Sequence, residues 1–386
     1  RICILTGEAG TGKTTIIAEL CRLLRKEKKE FYAAAPTGRA AKILRDKTNE
    51  QVSTIHKLIY NPEPAGLTES DNELFTVNFI LSEFKGKKNA VFIVDEASMI
   101  SDEETSGGIF KFGSGRLMYD LLHYTKILSA KYNTKIIFTG DEAQLPPVGS
   151  EFSCALNPEF FRLKYNLRAL NYSLTENFRQ KQDSAIINNS LSVRNKIVAD
   201  EKITAFCEEE DFVKTKPEEL TNIFNRFKQK QSELPLLITY KNADVSRYNQ
   251  FIHEEILGCE ELLCPGDKVM LTVNYYGDNS EIFNGETGTV ESLEEESVSK
   301  LVKIRMKGKD HSDSVRLNFK KAVINFNGSS KSYYLLEDLL YSTFADISQM
   351  QKQALYVDFV NRNKHIKKNS KEFLQKLLAD PYFNAL

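Results

Sequence analysis

The sequence predicts an α/β fold in which helices cover both faces of a parallel β-sheet. Its first part contains four short, mainly apolar runs that are typical of buried strands: ICILT (2–6), FYAAA (31–35), AVFIV (90–94) and KIIFT (135–139). Between the first two runs, five apolar residues recur at helical spacing: Ile16, Ile17, Leu20, Leu23 and Leu24. Buried strands that alternate with helices favour a parallel sheet, and such sheets bind ligands beyond the carboxyl ends of their strands.

The pattern of apolar and polar residues changes in the later part of the chain. LPLLITY (234–240) is its clearest strand candidate. From about residue 266, short alternating strands separated by Gly, Asn and charged turns predict a small antiparallel barrel, with SLEEES (292–297) as a hairpin tip. After Leu340 the pattern becomes helical, and the basic run NRNKHIKK (361–368) fits a solvated helix face, with phosphate contact as the alternative.

Composition limits the classes of function. The 386 residues suffice for two or three domains, and 52 basic residues nearly balance 53 acidic ones. A polyanionic partner would therefore be bound by local patches rather than by a global positive field. No apolar run approaches the roughly 20 residues that span a bilayer, so we expect a cytoplasmic, bacterial protein without a membrane partner.

The six cysteines are scattered, and only Cys259 and Cys264 lie close together in the sequence. We expect neither a second cysteine pair nor a histidine partner near them, so the sequence favours free thiols in a reducing cytoplasm over a zinc site. Any metal ion is expected to arrive with the substrate.

GEAGTGKTT (7–15) carries the most specific chemistry in the sequence. It fits the pattern G-x-x-x-x-G-K-[ST], follows an apolar run and opens an amphipathic helical pattern. Glycines allow the backbone N–H groups to surround phosphates, Lys13 can reach the terminal phosphates, and Thr14 can ligate Mg²⁺. A glycine-rich turn without a phosphate-binding role would not need to follow a strand pattern and to precede a helical pattern.

VFIVDEAS (91–98) ends a second predicted strand on two acids. Adjacent residues of a strand point to opposite faces, so the two carboxylates can have different roles. Asp95 is predicted to hold the Mg²⁺ water shell and Glu96 to activate an attacking water. Helix capping would explain one of these acids but not both.

Four further stretches contain candidate functional residues. Each is individually weak, because a turn arginine or an isolated histidine is usually structural. GDEAQLPPVG (140–149) stands out because its double proline holds Gln144 on a stiff loop. The other three stretches are APTGRAAKIL (35–44), STIHKLI (53–59) and LTENFRQ (174–180), the last of which contains Arg179.

As an ordered set, GEAGTGKT, APTGRAAK, STIHKL, VDEASM, GDEAQLPPVG and LTENFRQ resemble the superfamily 1 DNA helicases. The resemblance is to the RecD-like branch, which also contains Dda and the conjugative TraA relaxase-helicases. It is dense over residues 1–180 and looser through PLLITYKNADVSRYN (235–249) and the stretch 266–290. The QLPPVG form distinguishes this branch from the UvrD-type branch.

The resemblance implies two RecA-like motor domains with an ATP site between them. Gly7, Gly10, Thr11, Gly12, Lys13, Thr14 and Thr15 would cradle ATP, while Asp95 and Thr14 would handle Mg²⁺. Glu96 would activate water, Gln144 would sense the γ-phosphate, and Arg179 would act as the arginine finger. The single-strand path would be lined by Pro36, Thr37, Gly38, Arg39, Thr54, His56, Lys57, Thr239 and Asn242.

The resemblance also implies a domain layout. The first motor domain would cover residues 1–173 with a small insertion within 59–88, and the second would begin at 174–262. An SH3-like β-barrel would occupy 263–340, and the helical segment 341–386 would return toward the second motor domain. Two late motifs of the branch, a His-Lys-x-Gln-Gly-x-Glu turn and a Thr-Arg pair, are absent, so we expect that the chain stops just before them.

Two functional hypotheses follow. The first is an ATP-driven helicase or translocase that moves 5′→3′ on single-stranded DNA and opens duplex junctions, where the polarity comes from the resemblance alone. The second is a catalytically incomplete ATP-binding subunit that only grips DNA or regulates a partner, which the missing late motifs favour. A small-molecule kinase is less consistent, because it leaves residues 136–180 unexplained.

Overall fold

The structure is a computed structural model that describes all residues except 69–75, 105–109, 148, 177–183, 200, 203–204, 230–234, 272–274, 278–279, 283–284, 306–311, 341, 343–346, 369 and 386. The chain forms two compact units. The first comprises residues 1–62 and 78–214, and the second comprises 63–77 and 215–386. The finer division predicted from the sequence remains a prediction.

Up to residue 214, helices and short strands alternate except over residues 60–112, where successive strands have no α-helix between them. In chain order the elements are β1 (Ile2–Gly7), α1 (Lys13–Lys26), β2 (Phe31–Ala35), α2 (Gly38–Thr48), β3 (Val52–Thr54), α3 (Ile55–Ile59), β4 (Tyr60–Thr68), β5 (Thr76–Leu81), β6 (Val91–Val94), β7 (Phe110–Phe112), α4 (Leu117–Tyr124), β8 (Lys135–Gly140), α5 (Pro158–Tyr165), β9 (Ala169–Leu174) and α6 (Ala185–Val198).

The central sheet of the first unit has six strands in the order β3-β2-β6-β8-β1-β9. Every neighbouring pair in it is parallel. The four strands predicted from apolar runs are therefore confirmed, and they form the middle of the sheet. The edge strands β3 and β9 are additions, and because edge strands are less buried, their sequences carry a weaker apolar signal.

Helices cover both faces of this sheet, because successive strand residues point to opposite sides. In β6, Phe92 and Val94 pack with α4 and α5 in one core, whereas Val91 and Ile93 pack with α1 and α2 in another. All four of these residues are buried. The predicted α/β class with a doubly covered parallel sheet is confirmed.

The remaining elements continue in chain order as α7 (Leu220–Gln229), α8 (Asn242–Phe251), β10 (Lys268–Met270), β11 (Tyr275–Gly277), β12 (Ser280–Ile282), β13 (Thr287–Leu293), β14 (Val298–Arg305), β15 (Ser312–Phe326), β16 (Ser329–Leu336), α9 (Glu337–Leu340), α10 (Gln349–Arg362) and α11 (Lys371–Leu378). An antiparallel sheet runs β10-β13-β15-β14, and β16 also pairs with β15. The antiparallel strands were predicted, whereas their closure into an SH3-like barrel remains a prediction.

Three details of the second unit differ from the sequence-based expectations. Residues 235–239 of LPLLITY form no regular strand, and Leu236 and Ile238 are 87% and 84% exposed, so no sheet among the described residues covers them. The sequence favours separate short strands at SVRLNF (314–319) and AVINF (322–326), but both runs belong to one continuous strand, β15, which pairs with β14 at one end and with β13 at the other. Cys259 and Cys264 are joined by a disulfide instead of being free thiols.

The basic run 361–368 has a structural use at its start. Arg362 forms ion pairs with Asp358 at 2.8 Å and with Asp380 at 2.7 Å. These two carboxylates raise the pKa of the guanidinium despite its partial burial.

Among the helices that the structure describes, none has the length and apolar character needed to cross a bilayer.

Candidate functional site

The glycine-rich loop lies between β1 and α1, at the carboxyl end of the sheet. Gly12 adopts φ 87° and caps α1, a left-handed conformation that favours glycine. Gly7 has no room for a side chain, because a Cβ there would lie 2.6 Å from Thr11 Oγ1 and 3.0 Å from the Leu174 carbonyl oxygen. The first turn of α1 contains no acidic residue, so its N-terminus keeps its positive character.

Lys13 begins α1 and folds back over the loop. Its Nζ donates hydrogen bonds to the carbonyl oxygens of Gly7 at 2.6 Å and Glu8 at 2.8 Å. The side chain is buried, and this burial lowers the pKa of Lys13, while the nearby Asp141, Glu96 and Asp95 carboxylates oppose the shift. The lysine is therefore a partly desolvated cation surrounded by acids, and an anionic ligand could draw it away from the carbonyls.

Asp95 and Glu96 follow β6 at the same edge of the sheet. The Asp95 carboxylate accepts hydrogen bonds from Thr139 Oγ1 and, at 3.0 Å, from the Glu96 backbone N–H. Glu96 adopts φ 50°, a left-handed conformation that non-glycine residues rarely occupy and that often marks functional positions. Burial, together with the Asp95 charge, raises the pKa of Glu96, whereas Lys13 opposes this rise.

The double-proline loop brings Gln144 to these acids. Ser98, which is fully buried just after Glu96, donates a hydrogen bond from its Oγ to Gln144 Oε1 at 3.4 Å. The Gln144 backbone N–H is bound to the Asp141 carbonyl oxygen at 3.2 Å. The neighbouring Leu145 is 86% exposed, so the loop projects from the sheet edge while its glutamine contacts the interior.

Arg194 on α6 approaches the same edge from a different part of the sequence. Its guanidinium forms an ion pair with Asp141 and a second one with Glu8 at 3.3 Å. The side chains of Arg194 and Asp141 are 19% and 9% exposed. A half-buried cation thus links the glycine-rich loop to the loop after β8.

One cleft of about 1140 Å³ is lined by the glycine-rich loop, Asp95, Glu96 and Gln144. It is large enough for a nucleotide, since typical ligand pockets range from about 300 to 1,000 Å³. Its lining joins the predicted phosphate, metal and sensor residues with residues at the start of α2 and after β9. Among the predicted residues, it contains Gly10, Thr11, Gly12, Lys13, Thr14, Thr15, Thr37, Arg39, Asp95, Glu96 and Gln144.

Several residues predicted to contact DNA already have structural partners. Thr37 caps α2 by accepting a hydrogen bond from the Ala40 N–H, and Thr54 caps α3 through the Lys57 N–H. His56 packs edge-on against Phe112 with ring centroids 4.8 Å apart, and burial lowers the pKa of this imidazole. These contacts explain the residue types without DNA, so a DNA role stays a prediction.

The other predicted DNA residues have fewer such constraints. Arg39 and Lys57 are exposed in the first unit, and Asn242 begins α8 in the second unit. Thr239 is near α8 and donates from its Oγ1 to the Lys241 carbonyl oxygen at 3.3 Å. Pro36 and Gly38 flank Thr37 at the start of α2. Arg179, the predicted arginine finger, lies outside the described residues.

Sequence reasoning missed Arg194, Thr139 and the contact made by Ser98. Thr139 and Ser98 belong to stretches that the sequence had marked, and hydroxyls next to strand-end carboxylates were an available signal. Arg194 had no local signal, because its partners Glu8 and Asp141 are far from it in sequence and only folding brings them together.

Comparison with known proteins agrees with this site. Residues 1–107 match the family model described as an AAA domain. The chain is 29% identical over 222 residues to the RecBCD enzyme subunit RecD of Buchnera aphidicola subsp. Schizaphis graminum, and this match covers 53% of the chain and 32% of that protein. It is 30% identical over 149 residues to the ATP-dependent RecD2 DNA helicase of Deinococcus radiodurans, covering 38% of the chain and 16% of that protein.

Among solved structures, the Pif1 helicase of Candida albicans is similar at 17% sequence identity with a TM-score of 0.37, covering 86% of the chain and 75% of that structure. This likeness is too distant to support an argument. The matches to RecD and RecD2 span about a third and about a sixth of those proteins, so they establish relatedness rather than a complete activity. The AAA domain match over residues 1–107 and the partial matches to RecD and RecD2 make the chain similar to the RecD-like branch of the superfamily 1 helicases, which agrees with the resemblance of its motifs.

Proposed function

We propose that this protein is an ATP-driven motor that moves along single-stranded DNA and opens duplex junctions. The observation that carries the proposal is the meeting of Lys13, Asp95, Glu96 and Gln144 in one cleft at the carboxyl edge of the parallel sheet. Hydrolysis of a nucleoside triphosphate needs a phosphate cradle, a metal-binding carboxylate and a base, and these residue types supply all three.

The residues of the cleft fit ATP with Mg²⁺. The N-terminus of α1 and the Lys13 ammonium suit the phosphates, and Thr14 and Asp95 offer the hard oxygen ligands that Mg²⁺ prefers. When bound, Mg²⁺ supplies positive charge that neutralises the phosphate oxygens.

Glu96 is the proposed base, and its environment suits that role. Burial raises its pKa, and a carboxylate with a raised pKa holds a proton more strongly than an ordinary glutamate. In the proposal, Arg179 stabilises the charge that develops on the transferred phosphoryl group, a contribution of about 10³–10⁵ in rate in related systems. Its assignment rests on the sequence LTENFRQ (174–180) alone.

Gln144 is proposed to couple the nucleotide to DNA movement. Its side chain contacts Ser98, two residues beyond Glu96, while Pro146 and Pro147 stiffen the loop that carries it. A stiff loop transmits a displacement that a flexible loop would absorb. Loss of the γ-phosphate could therefore move this loop as a unit.

The DNA path is proposed to include Arg39, Lys57 and Asn242, together with the polar turns around Pro36–Gly38, Thr54–His56 and Thr239. Two RecA-like motor domains, residues 1–173 and a second domain beginning at 174–262, would alternate their grip on the strand. The SH3-like barrel (263–340) and the 59–88 insertion would contact the junction. The RecD and RecD2 relatives support this reading, and the 5′→3′ polarity comes from family resemblance.

Unwinding assays distinguish this function from a subunit that only binds ATP and grips DNA. The chain is incubated with ATP and Mg²⁺ on duplexes that carry either a 5′ or a 3′ single-stranded tail, with Lys13→Ala as the control. The proposal expects strand separation of the 5′-tailed duplex only, abolished by Lys13→Ala. ATP-dependent DNA binding without strand separation, in a chain that includes any natural sequence after Leu386, would favour the binding subunit.

A further inference from the structure

The segment between α8 and β10 gathers three side chains that commonly bind transition metals. His253, Cys259 and Cys264 each offer one ligand atom, and these atoms all lie within 4.8 Å of one another. His253 and Cys259 are buried, at 6% and 8% exposure. In the described part of the chain, this is the group of three or more His, Cys, Asp or Glu residues close enough to share an ion.

The backbone holds this group in place over a short stretch of sequence. The Cys259 N–H donates to the His253 carbonyl oxygen at 3.1 Å, and Gly258 turns the chain between them at φ 74°. The Asp267 N–H donates to the Cys264 carbonyl oxygen at 3.1 Å. The spacing is His-x5-Cys-x4-Cys-x2-Asp, so the ligands come from one local loop.

Asp267 supports the histidine in the way that carboxylates support metal ligands. Its Oδ2 lies 2.8 Å from His253 Nε2 and accepts a second hydrogen bond from the Cys264 N–H at 2.7 Å. Because a carboxylate accepts, Nε2–H donates, which leaves the lone pair of a neutral imidazole on Nδ1. A carboxylate–histidine pair of this kind orients the ring and fixes the tautomer at many zinc sites.

The two sulfurs are joined as a disulfide in this structure. A disulfide cannot ligate Zn²⁺ through thiolates, so the metal-binding form requires reduction. A phosphine reductant supplies the two electrons: the S–S bond breaks, water provides the phosphine oxygen, and the two protons of that water give two thiols. Metal binding then releases these protons, because the ligands are thiolates.

We propose that the reduced loop binds Zn²⁺ through His253, Cys259 and Cys264, with Asp267 as a positioning residue. Two thiolates and an imidazole are the ligand types that Zn²⁺ prefers, and water completes a tetrahedral set. The disulfide and the metal are mutually exclusive, so the oxidised loop is metal-free and only the reduced loop can bind the ion.

Within the second unit, the loop that carries this site contacts both a helix and the antiparallel sheet. The Lys228 ammonium on α7 donates to the Ile256 carbonyl oxygen at 2.7 Å in the helical turn Ile252–Ile256. On the other side, the Gly266 N–H donates to the Val290 carbonyl oxygen at 2.7 Å on β13. A metal or a disulfide in this loop therefore links the helical segment to the antiparallel sheet.

Cobalt binding tests the proposal, because Co²⁺ bound to thiolates has a visible charge-transfer absorption. The full chain is reduced with a phosphine, transferred to anaerobic buffer and titrated with Co²⁺, and Zn²⁺ is then added to displace it. We expect one Co²⁺ per chain and full displacement by Zn²⁺. The oxidised chain should show no such absorption, and restoring the disulfide should eject the metal.

Variants separate this site from other thiols. Cys259→Ser and Cys264→Ser should weaken binding by more than tenfold, whereas Cys207→Ser, at an exposed free cysteine, should leave it unchanged. Asp267→Asn should weaken binding by about 10–100-fold while keeping the charge-transfer band, as expected for a carboxylate that orients a ligand. Circular dichroism of each variant checks that it is folded.

Two results would overturn the proposal. One is a folded, fully reduced wild-type chain that shows no thiolate–cobalt absorption. The other is equal binding by Cys207→Ser, Cys259→Ser and Cys264→Ser, which would assign the metal to scattered thiols. Neither result depends on ATP turnover, so the outcome is independent of the proposed motor function.

Discussion

Ser98 Oγ donates a hydrogen bond to Gln144 Oε1 at 3.4 Å, which joins the segment after the acidic strand end to the double-proline loop. The two residues lie 46 positions apart in sequence and at the ends of adjacent parallel strands, β6 and β8. The loop glutamine therefore has a direct contact two residues from the proposed base.

Loss of Gln144 should uncouple hydrolysis from DNA. We expect Gln144→Ala to retain most of the basal ATP turnover and to lose most of its stimulation by single-stranded DNA. The substitution removes the side chain that is proposed to link the nucleotide site to the DNA path. Ser98→Ala removes only one hydrogen bond, worth about 0.5–1.5 kcal/mol, so its coupling should fall by up to about tenfold. Equal losses of basal and stimulated turnover in Gln144→Ala would remove the distinct coupling role.

Glu96 should set the acidic limb of the pH–rate profile. Its pKa is raised, chiefly by burial, and a base acts only when it is ionised. ATP turnover should therefore fall, as the pH is lowered, at a pH above the range of an ordinary glutamate. Glu96→Gln should abolish turnover at every pH while nucleotide binding persists. A profile that is flat down to the ordinary glutamate range would contradict this assignment.

Ionised Glu96 should destabilise the folded protein. A folded-state pKa above the unfolded value means that the folded chain binds the proton more tightly, so ionised Glu96 destabilises the fold above that raised pKa. The destabilisation disappears as the pH falls toward the ordinary value of 4.5. Glu96→Gln should thus have a higher melting temperature than wild type at neutral pH, with a smaller difference at mildly acidic pH. A difference in melting temperature that grows as the pH is lowered would contradict this prediction.

Arg194 and Asp141 should be energetically coupled. A charged hydrogen bond in a partly buried setting contributes about 1.5–3 kcal/mol, and removing one partner leaves the other charge poorly solvated. We expect Arg194→Gln and Asp141→Asn each to lower the free energy of unfolding in urea by about 1–3 kcal/mol, with the double variant losing less than the sum. Additive losses would mean that the ion pair does not operate in solution. The exposed pair Arg22–Glu19 provides a control cycle with a coupling of under about 1 kcal/mol.

Arg39 should contribute a sequence-independent phosphate contact. It is exposed at the start of α2 and lines the cleft, so Arg39→Ala should weaken single-strand binding for all base compositions. The slope of log affinity against log salt concentration should shrink by about 1. Arg22→Ala, at an arginine already paired with Glu19, is the matched control and should leave the slope unchanged.

Local sequence patterns predicted the centre of the first sheet because buried parallel strands carry a continuous apolar signal. They also located the phosphate loop, the two strand-end acids and the glutamine loop, since each is a short motif whose residues are adjacent in the chain. The 235–239 segment was wrongly predicted as a strand: its composition suits a strand, but the described structure offers it no sheet neighbour.

Contacts between distant residues were not predictable in this way. Arg194 meets Glu8 and Asp141 only after α6 has folded back to the sheet edge, and nothing local marks it. The cysteine pair was visible in the sequence, but its nearness to His253 depends on the turn at Gly258. Motifs therefore predicted the chemistry of the cleft, while the supporting contacts required the structure.

Steady-state ATP hydrolysis measured with and without single-stranded DNA distinguishes a DNA-driven motor from an ATPase that does not respond to DNA. Lys13→Ala is the control, because removing the ammonium from the phosphate cradle should abolish turnover in both conditions while the chain stays folded. We expect Mg²⁺-dependent hydrolysis by the wild-type chain that rises severalfold on adding DNA. Hydrolysis that DNA leaves unchanged, or that persists in Lys13→Ala, would contradict an ATP-driven DNA motor built on this cleft.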